Sequence, residues 1–160
     1  MSANSAPPRG LDSRWTVRII KAMSAVNVRA YRLTGGRIGG KWRVGSAFPR
    51  GIPVCLVTTT GRKTGLARTL PLLFLRDDDR IVLVASQGGL PKNPLWFGNI
   101  QAKPDVTVQV RRQSRTMRAR VASTAERATL WPRLVEMYAD FANYQAWTER
   151  EIPVVICEPA

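Results

Sequence analysis

One long stretch of the chain has helical period, and several short stretches have strand period. From residue 12 to 34, cations and apolar side chains fall on two adjacent stripes at about 100° per residue. Arg14, Arg18, Lys21, Arg29 and Arg32 make one stripe; Trp15, Ile19, Met23, Val26 and Leu33 make the other. The pattern predicts an amphipathic helix. Two readings stand: the helix packs on the domain with a solvated basic face, or it also rests on anionic lipid. GGRIGG, Gly35 to Gly40, breaks the pattern. No strand precedes it, so it is no dinucleotide fingerprint.

The strand-like runs are Ile52–Thr60, Arg68–Leu75 and Arg80–Ser86, with the polar turn Asp77-Asp78-Asp79 before the third. Val106–Arg111 and Met117–Ala122 read as a hairpin around Arg112–Ser114. Ile152–Glu158 is the last strand, and Pro153 places its start at an edge or bulge. Pro94–Ala102 reads as a short helix with Asn93 as its cap. Thr124, followed three residues later by Arg127 rather than an acid, opens a helix to Tyr138. Another short helix covers Phe141–Thr148. Many short strands with few helices predict a small barrel, mainly β with flanking helices.

A length of 160 residues fits one domain, placed at 12–160 behind a tail at 1–11 rich in Ser, Pro, Ala and Gly. That start lacks the charged and apolar regions of a signal peptide. No run reaches about 18 apolar residues, so no membrane span is expected.

The net charge of +14 is unevenly spread: the first fifty residues hold ten Lys/Arg against Asp12 alone. Such a field attracts nucleic acid, anionic membrane or an anionic cofactor. Cys55 and Cys157 sit in apolar runs and read as buried thiols. With no histidine, the chain cannot build a Ser-His-Asp or Cys-His relay, and a transition-metal site is not expected. An enzyme made of this chain must borrow its chemistry.

TTTGRKTG, Thr58 to Gly65, with Arg68 beyond it, gathers hydroxyls, glycines and cations in one loop. It offers what a phosphate- or carboxylate-bearing ligand needs. It is not a P-loop, because Lys63 precedes the second glycine instead of following it. Two further segments stand out: ASQGG at Ala85–Gly89 with Lys92 and Asn93, and PLWFGN at Pro94–Asn99. Gly88 and Gly89 let the chain approach a flat ligand closely. Trp96 or Phe97 could cover a ring face, or both pack in the core. Tyr138, Phe141, Tyr144 and Trp147 recur at three-residue spacing; Tyr138, Phe141 and Trp147 could wall a pocket or serve the structure, and the two phenols can donate to a substrate oxygen.

These segments carry a resemblance. YRLTGGRIGG at Tyr31–Gly40, LVTTTGRKTGLARTLPL at Leu56–Leu72, LVASQGGLPKNPLWFGNIQAKPDVTVQV at Leu83–Val110 and YQAWTEREIPVVICEP at Tyr144–Pro159 occur in order. Over about Arg14 to Pro159 the chain resembles the deazaflavin-dependent nitroreductase and quinone reductase family. The resemblance implies a split β-barrel, like flavin-binding oxidases of the pyridoxamine-phosphate type, and coenzyme F-420 as cofactor. It places the cofactor's anionic arm at Thr60, Gly61, Arg62, Lys63, Thr64 and Arg68, and the ring beside Pro71 and Leu72. Val84, Ala85, Ser86, Gln87 and Gly88 follow as the next cofactor strand and turn. Lys92 meets the charged groups, and Asn93, Pro94 and Trp96 continue the contact. Many relatives have lysine where Gln87 stands and histidine where Asn93 stands. The departures remove two positive charges; Arg62, Lys63, Arg68 and Lys92 remain.

The implied reaction is hydride transfer from reduced coenzyme F-420 to a quinone, nitroaromatic or similar electron-poor acceptor. The cofactor carries the chemistry, and the protein supplies orientation and field. Ser86, Tyr138 and Tyr144 are the candidates for substrate contact and proton supply. A monomer or homodimer in the cytoplasm, with peripheral contact at an anionic membrane face, is the expected setting. Two other readings remain open: an FMN- or FAD-binding split barrel, and a noncatalytic basic module for F-420 or nucleic acid. Against nucleic acid, the cations are not interleaved with exposed aromatics on a recognition element.

Overall fold

The computed structural model describes residues 14–160, so the expected tail at 1–11 and the start of the expected helix lie outside the described residues. The elements run α1 (Arg14–Thr34), β1 (Lys41–Trp42), β2 (Ile52–Thr60), β3 (Ala67–Leu73), β4 (Leu75–Asp77), β5 (Arg80–Val84), α2 (Leu95–Ala102), β6 (Asp105–Val110), β7 (Gln113–Val121), α3 (Thr124–Met137), α4 (Asp140–Ala146) and β8 (Val154–Pro159). The sheet order is β1-β2-β6-β7-β8-β5-β4, with β3 also on β2. Every pairing is antiparallel. The sheet curls into a split β-barrel with flanking helices, as expected.

β3 and β4 together explain the curl. Arg68–Leu75, expected as one strand, is divided between two, because the chain leaves β2 at Leu73 and joins β5 at Leu75. Phe74 between them is buried in the barrel core and anchors the bend. One continuous segment thus bridges β2 and β5, which are far apart in the sheet order.

Period-2 alternation puts both faces of the central strands in contact with apolar groups. Ile81, Leu83, Val155 and Cys157 point into the barrel with Val57, Val108 and Met117. Val82, Val84, Val154 and Ile156 point the other way, under Leu130 and Leu134 of α3 and Phe141 of α4. Each such side chain stabilises by roughly 1.5–3 kcal/mol when fully buried. Cys55 and Cys157 are free buried thiols in the barrel. Burial pushes Cys157 up to about 12, and Cys55 higher still, so neither presents a thiolate.

Several local expectations shift. α3 is capped by Ser123, whose side chain accepts from the Glu126 N–H while the Glu126 carboxylate accepts from the Ser123 N–H. The helix opens at Thr124 as expected, but the capping box lies one position before the Thr124–Arg127 spacing read from sequence. α2 takes Pro94, not Asn93, as its N-cap. The β6–β7 turn is Arg111–Arg112, and Gln113 already belongs to β7. β8 lies inside the sheet, between β7 and β5. Pro153 precedes it and costs no ladder bond, and its carbonyl accepts from Ala85 N–H at 3.0 Å.

α1 departs most from its expected packing. Val28 and Tyr31 are its buried residues, over Val54 and Leu56. The expected apolar stripe faces outward instead: Ile19, Met23, Val26 and Leu33 are all more than half exposed. Sequence periodicity found the stripe but could not say which side the barrel occupies.

Candidate functional site

A cavity of about 440 Å³ opens between β3, the end of β5, α4 and the β1 segment. Pro71, Leu72 and Leu73 form one wall, and Val84, Ser86 and Gly88 form a second. Tyr138, Phe141 and Tyr144 form a third, with Asn27, Lys41 and Trp42 toward the mouth. The volume is that of a site for a small organic ligand, apolar with few polar groups.

The aromatic wall is an interlocked set. Tyr138 meets Phe141 edge-on at 5.0 Å between ring centres, Tyr144 lies 6.1 Å from Tyr138, and Trp147 backs Tyr144 at 5.6 Å. The two phenol oxygens stand 3.2 Å apart. Burial, then the Tyr144 hydroxyl, pushes the Tyr138 phenol well above the usual tyrosine range. Tyr138 therefore stays protonated and can donate. α4 is held to the segment after β1 by a reciprocal pair: Ser46 N–H donates to Asp140 Oδ2 at 3.0 Å, and Asp140 N–H donates to Ser46 Oγ at 3.2 Å.

The second wall turns on unusual backbone. Ser86 is right-handed helical, while Gln87, Gly88 and Gly89 follow at φ +45°, +62° and +77°. Successive right- and left-handed residues aim their N–H groups toward one side, an arrangement that favours anions. A Cβ on Gly89 would fall 2.7 Å from the Tyr144 carbonyl oxygen, whereas Gly88 faces open space. One glycine is thus required for packing, and the other leaves room for a ligand.

Arg150 ties this turn down. Its Nε donates to Leu90 O at 2.9 Å, Nη2 to Ser86 O at 2.8 Å, and Nη1 to Asn93 Oδ1 at 2.7 Å and Ala85 O at 3.3 Å. Sequence reading missed Arg150. Locally it shows only as a lone cation between Glu149 and Glu151, which does not tell its role, because its carbonyl partners are distant in sequence. Asn93 gives its side-chain oxygen to Arg150, which is why it is not the α2 cap.

Of the residues singled out from sequence, Pro71, Leu72, Val84, Ser86, Gly88, Tyr138 and Tyr144 share the cavity. Thr60, Gly61, Arg62, Lys63, Thr64, Arg68, Ala85, Gln87, Lys92, Asn93, Pro94 and Trp96 do not line it. Trp96 is buried in the barrel core, edge-on to Phe97 at 6.4 Å, so its ring is no pocket wall. Ala85 is fully buried and offers only its carbonyl. The Thr58–Gly65 loop is braced from within: Gly61 N–H donates to Leu66 O, and Gly65 N–H to Gly61 O, both at 2.8 Å. Buried Asn99 reaches it from α2, accepting from Arg62 N–H at 3.1 Å and donating to Thr59 Oγ1 at 3.1 Å. The Arg62 guanidinium lies against Gly98. Lys63 and Arg68 are exposed, and Arg68 is the second residue of β3, the strand that supplies the Pro71–Leu73 wall. Among the described residues, no group of three or more His, Cys, Asp or Glu could hold a metal ion.

Comparison with known proteins gives this geometry a context. The family described as F420H(2)-dependent quinone reductase matches residues 23–159. The F420H(2)-dependent quinone reductase of Mycobacterium tuberculosis H37Rv is 37% identical over 148 residues, 90% of this chain and 95% of its own. A second chain of that strain, carrying the same family's name, is 44% identical over 117 residues, 73% of this chain and 98% of its own. Among solved structures, an F420-H2 dependent reductase (FDR-A) superposes with a TM-score of 0.63 at 41% identity, covering 66% of this chain and 94% of its own. Another, described as a domain-swapped dimer, superposes at 0.65 with 33% identity, covering 89% and 99%.

Proposed function

This chain belongs to the F420H(2)-dependent quinone reductase family, and on that premise we propose that its 440 Å³ pocket seats the deazaflavin ring with the acceptor beside it. Its activity is that of an F420-dependent oxidoreductase acting on quinone or nitroaromatic acceptors. The bound coenzyme supplies the hydride.

The single observation that carries the reading is the pocket wall: apolar Pro71–Leu73 faces the bare Gly88 turn, with donor phenols on the third side. A flat ring fits between such walls, and the residues fit the group. Ser86–Gly88 direct N–H groups at its polar edge. Arg68 near the start of β3, with Lys63 and Arg62 of the loop beside it, would hold the acidic arm by charge-assisted hydrogen bonds. Lys92, Asn93 and Pro94 border it as the resemblance implies.

The chain's part in the reaction is positioning, water exclusion and proton supply. The aromatic wall keeps water from the reacting face. Tyr138 is protonated and hydrogen-bonded to Tyr144, so a proton given to the reduced acceptor is replaced along the pair from the exposed side. Ser86 orients the acceptor or cofactor from the opposite wall. The test is titration of purified protein with coenzyme F-420, then single-turnover reduction of a soluble quinone by the reduced coenzyme. Binding of FMN in its place would end this reading.

The exposed stripe on α1 favours a membrane-facing role for the helix. Ile19, Met23, Val26 and Leu33 are flanked by exposed Arg18, Lys21, Arg29 and Arg32. Apolar area beside cations suits an anionic lipid surface. None of the described helices is long and apolar enough to cross a membrane. Cosedimentation with anionic vesicles, lost in Met23→Ser/Val26→Ser, tests this. A doubled solution mass without vesicle binding would assign the stripe to a second copy.

A further inference from the structure

A second cavity, about 770 Å³, lies where the Gly35–Lys41 segment meets the β6–β7 turn and β4. Its cations are Arg37, Lys41, Arg43, Arg76, Arg111 and Arg112, and no acid lines it. None of the six has a carboxylate within ion-pair distance among the described residues. Asp79 lies in an adjoining hollow that shares Arg76. Six cations around one groove repel one another unless an anion sits between them.

The groove is built, not a chance meeting of mobile side chains. Arg111 has φ +55°, and it is the first residue of a two-residue hairpin loop. Only the first position is left-handed, which is where such loops ordinarily place glycine. An arginine there costs about 1 kcal/mol or more of backbone strain. The strain is held from both sides. Arg111 N–H donates to the Tyr31 hydroxyl at 2.8 Å, and Arg111 O accepts from Gln109 Nε2 at 2.8 Å. The Tyr31 hydroxyl in turn donates to Val54 O at 3.0 Å, and that tyrosine is 1% exposed. Next to it, the Arg112 stem lies against Gly35, where any side chain would collide. A glycine at 111 would make the hairpin more cheaply; the arginine's side chain is what the strain retains.

We propose that this groove binds a compact, multiply charged phosphate anion, at a site beside the ring pocket, with which it shares Gly39 and Lys41. Guanidinium forks match phosphate oxygens two at a time, and the charge density calls for several negative charges in a small volume. The anion is a free oligophosphate or a lipid headgroup; the recognising chemistry is the same. Arg62, Lys63 and Arg68, assigned above to the cofactor's arm, do not line the groove, so its cations are a different set from the arm's.

The test uses inorganic tripolyphosphate as probe, titrated calorimetrically into the full chain at fixed salt. Saturable binding is expected. Arg76→Gln/Arg111→Gly should weaken it about tenfold or more, since charge-assisted bonds to two groove walls are lost. Lys103→Gln/Arg118→Gln, with the same charge loss elsewhere, should change it less than about twofold. Arg111→Gly alone should raise the melting temperature while lowering tripolyphosphate affinity, and Arg112→Gln provides a second groove variant whose backbone is unaltered. Equal losses in the groove and control variants, or no saturation, would overturn the site. So would coenzyme F-420 affinity falling in step with tripolyphosphate affinity, since the groove would then be part of the cofactor site. A chain that binds no F-420 yet passes the tripolyphosphate comparison keeps this site and loses the cofactor reading. Phosphatidylcholine vesicles with and without phosphatidylglycerol identify the source. Retention displaced by tripolyphosphate marks a headgroup; tripolyphosphate binding without retention marks a soluble anion.

Discussion

The hydroxyls of Tyr138 and Tyr144 lie 3.2 Å apart on one wall of the apolar pocket. Tyr138 is buried and Tyr144 is half-buried, so a proton lost from the inner phenol has a route to its outer partner. Tyr138→Phe keeps the ring contacts and removes the inner donor. It should lower kcat for quinone reduction about 10- to 100-fold and leave coenzyme affinity within about twofold. Steady-state and binding measurements on the same preparation check this. An unchanged kcat would remove Tyr138 from the proton path.

The same residue gives an alkaline prediction. Its folded pKa is raised above the ordinary value of 10.0. The folded state therefore holds the proton more tightly than the unfolded state, and the stability this contributes is full below pH 10. It is lost as pH rises above 10 toward the folded value. Denaturant melts of the wild type should weaken through that window, and those of Tyr138→Phe should weaken less.

Arg150 should act through the turn it holds. Arg150→Ala leaves three carbonyls without this donor and should cost about 1–3 kcal/mol of stability. It should also raise the KM for coenzyme F-420, because the Ser86–Gly89 backbone relaxes. Arg150→Lys retains charge but not the fork, so it should recover most stability and little of the KM. Recovery of both together would mean that Arg150 serves the fold alone.

The two turn glycines should separate packing from binding. Gly89→Ala drives a Cβ to 2.7 Å from Tyr144 O and should strongly destabilise the chain. Gly88→Ala meets nothing and should cost only about 1 kcal/mol from its left-handed backbone. It should nonetheless weaken coenzyme binding, since its methyl enters the space assigned to the ring. Thermal melts and F-420 titrations of the two variants check the separation.

In acid, the Arg120 and Glu126 pair sets the direction. The Arg120 guanidinium, with the Ser123 N–H, lowers Glu126 from 4.5 to about 2. The stability this carboxylate contributes is full above pH 4.5 and disappears as pH falls toward 2. Glu126→Gln should flatten acid melts in that window.

Much of this architecture was legible in the sequence, and the gaps have physical causes. Strand β2 matched its reading end to end, because an apolar and β-branched run from Ile52 to Thr60 lies between Gly51 and Gly61. The loops ASQGG and GRKTG stood out because clustered glycines, and in the second loop cations, fit neither a strand nor a helix pattern. Arg150 was invisible because its role depends on carbonyls about sixty residues away in sequence. Trp96 stayed open between ring cover and core, because an aromatic beside a binding motif reads the same whether it faces ligand or core; the fold buries it in the core. The outward stripe of α1 was seen as a stripe, but its direction is set by Val28 and Tyr31 docking on β2. The strained Arg111 could not be read without its φ angle.

Titration of the purified full chain with oxidised coenzyme F-420, in parallel with FMN, tests the central claim most directly. Saturable binding of F-420 at about 10 µM or tighter is predicted. Lys63→Ala should weaken it far more than Arg14→Ala, and FMN should fail to compete. No F-420 binding at tens of micromolar, tighter binding of FMN, or equal losses in the two variants would contradict the account.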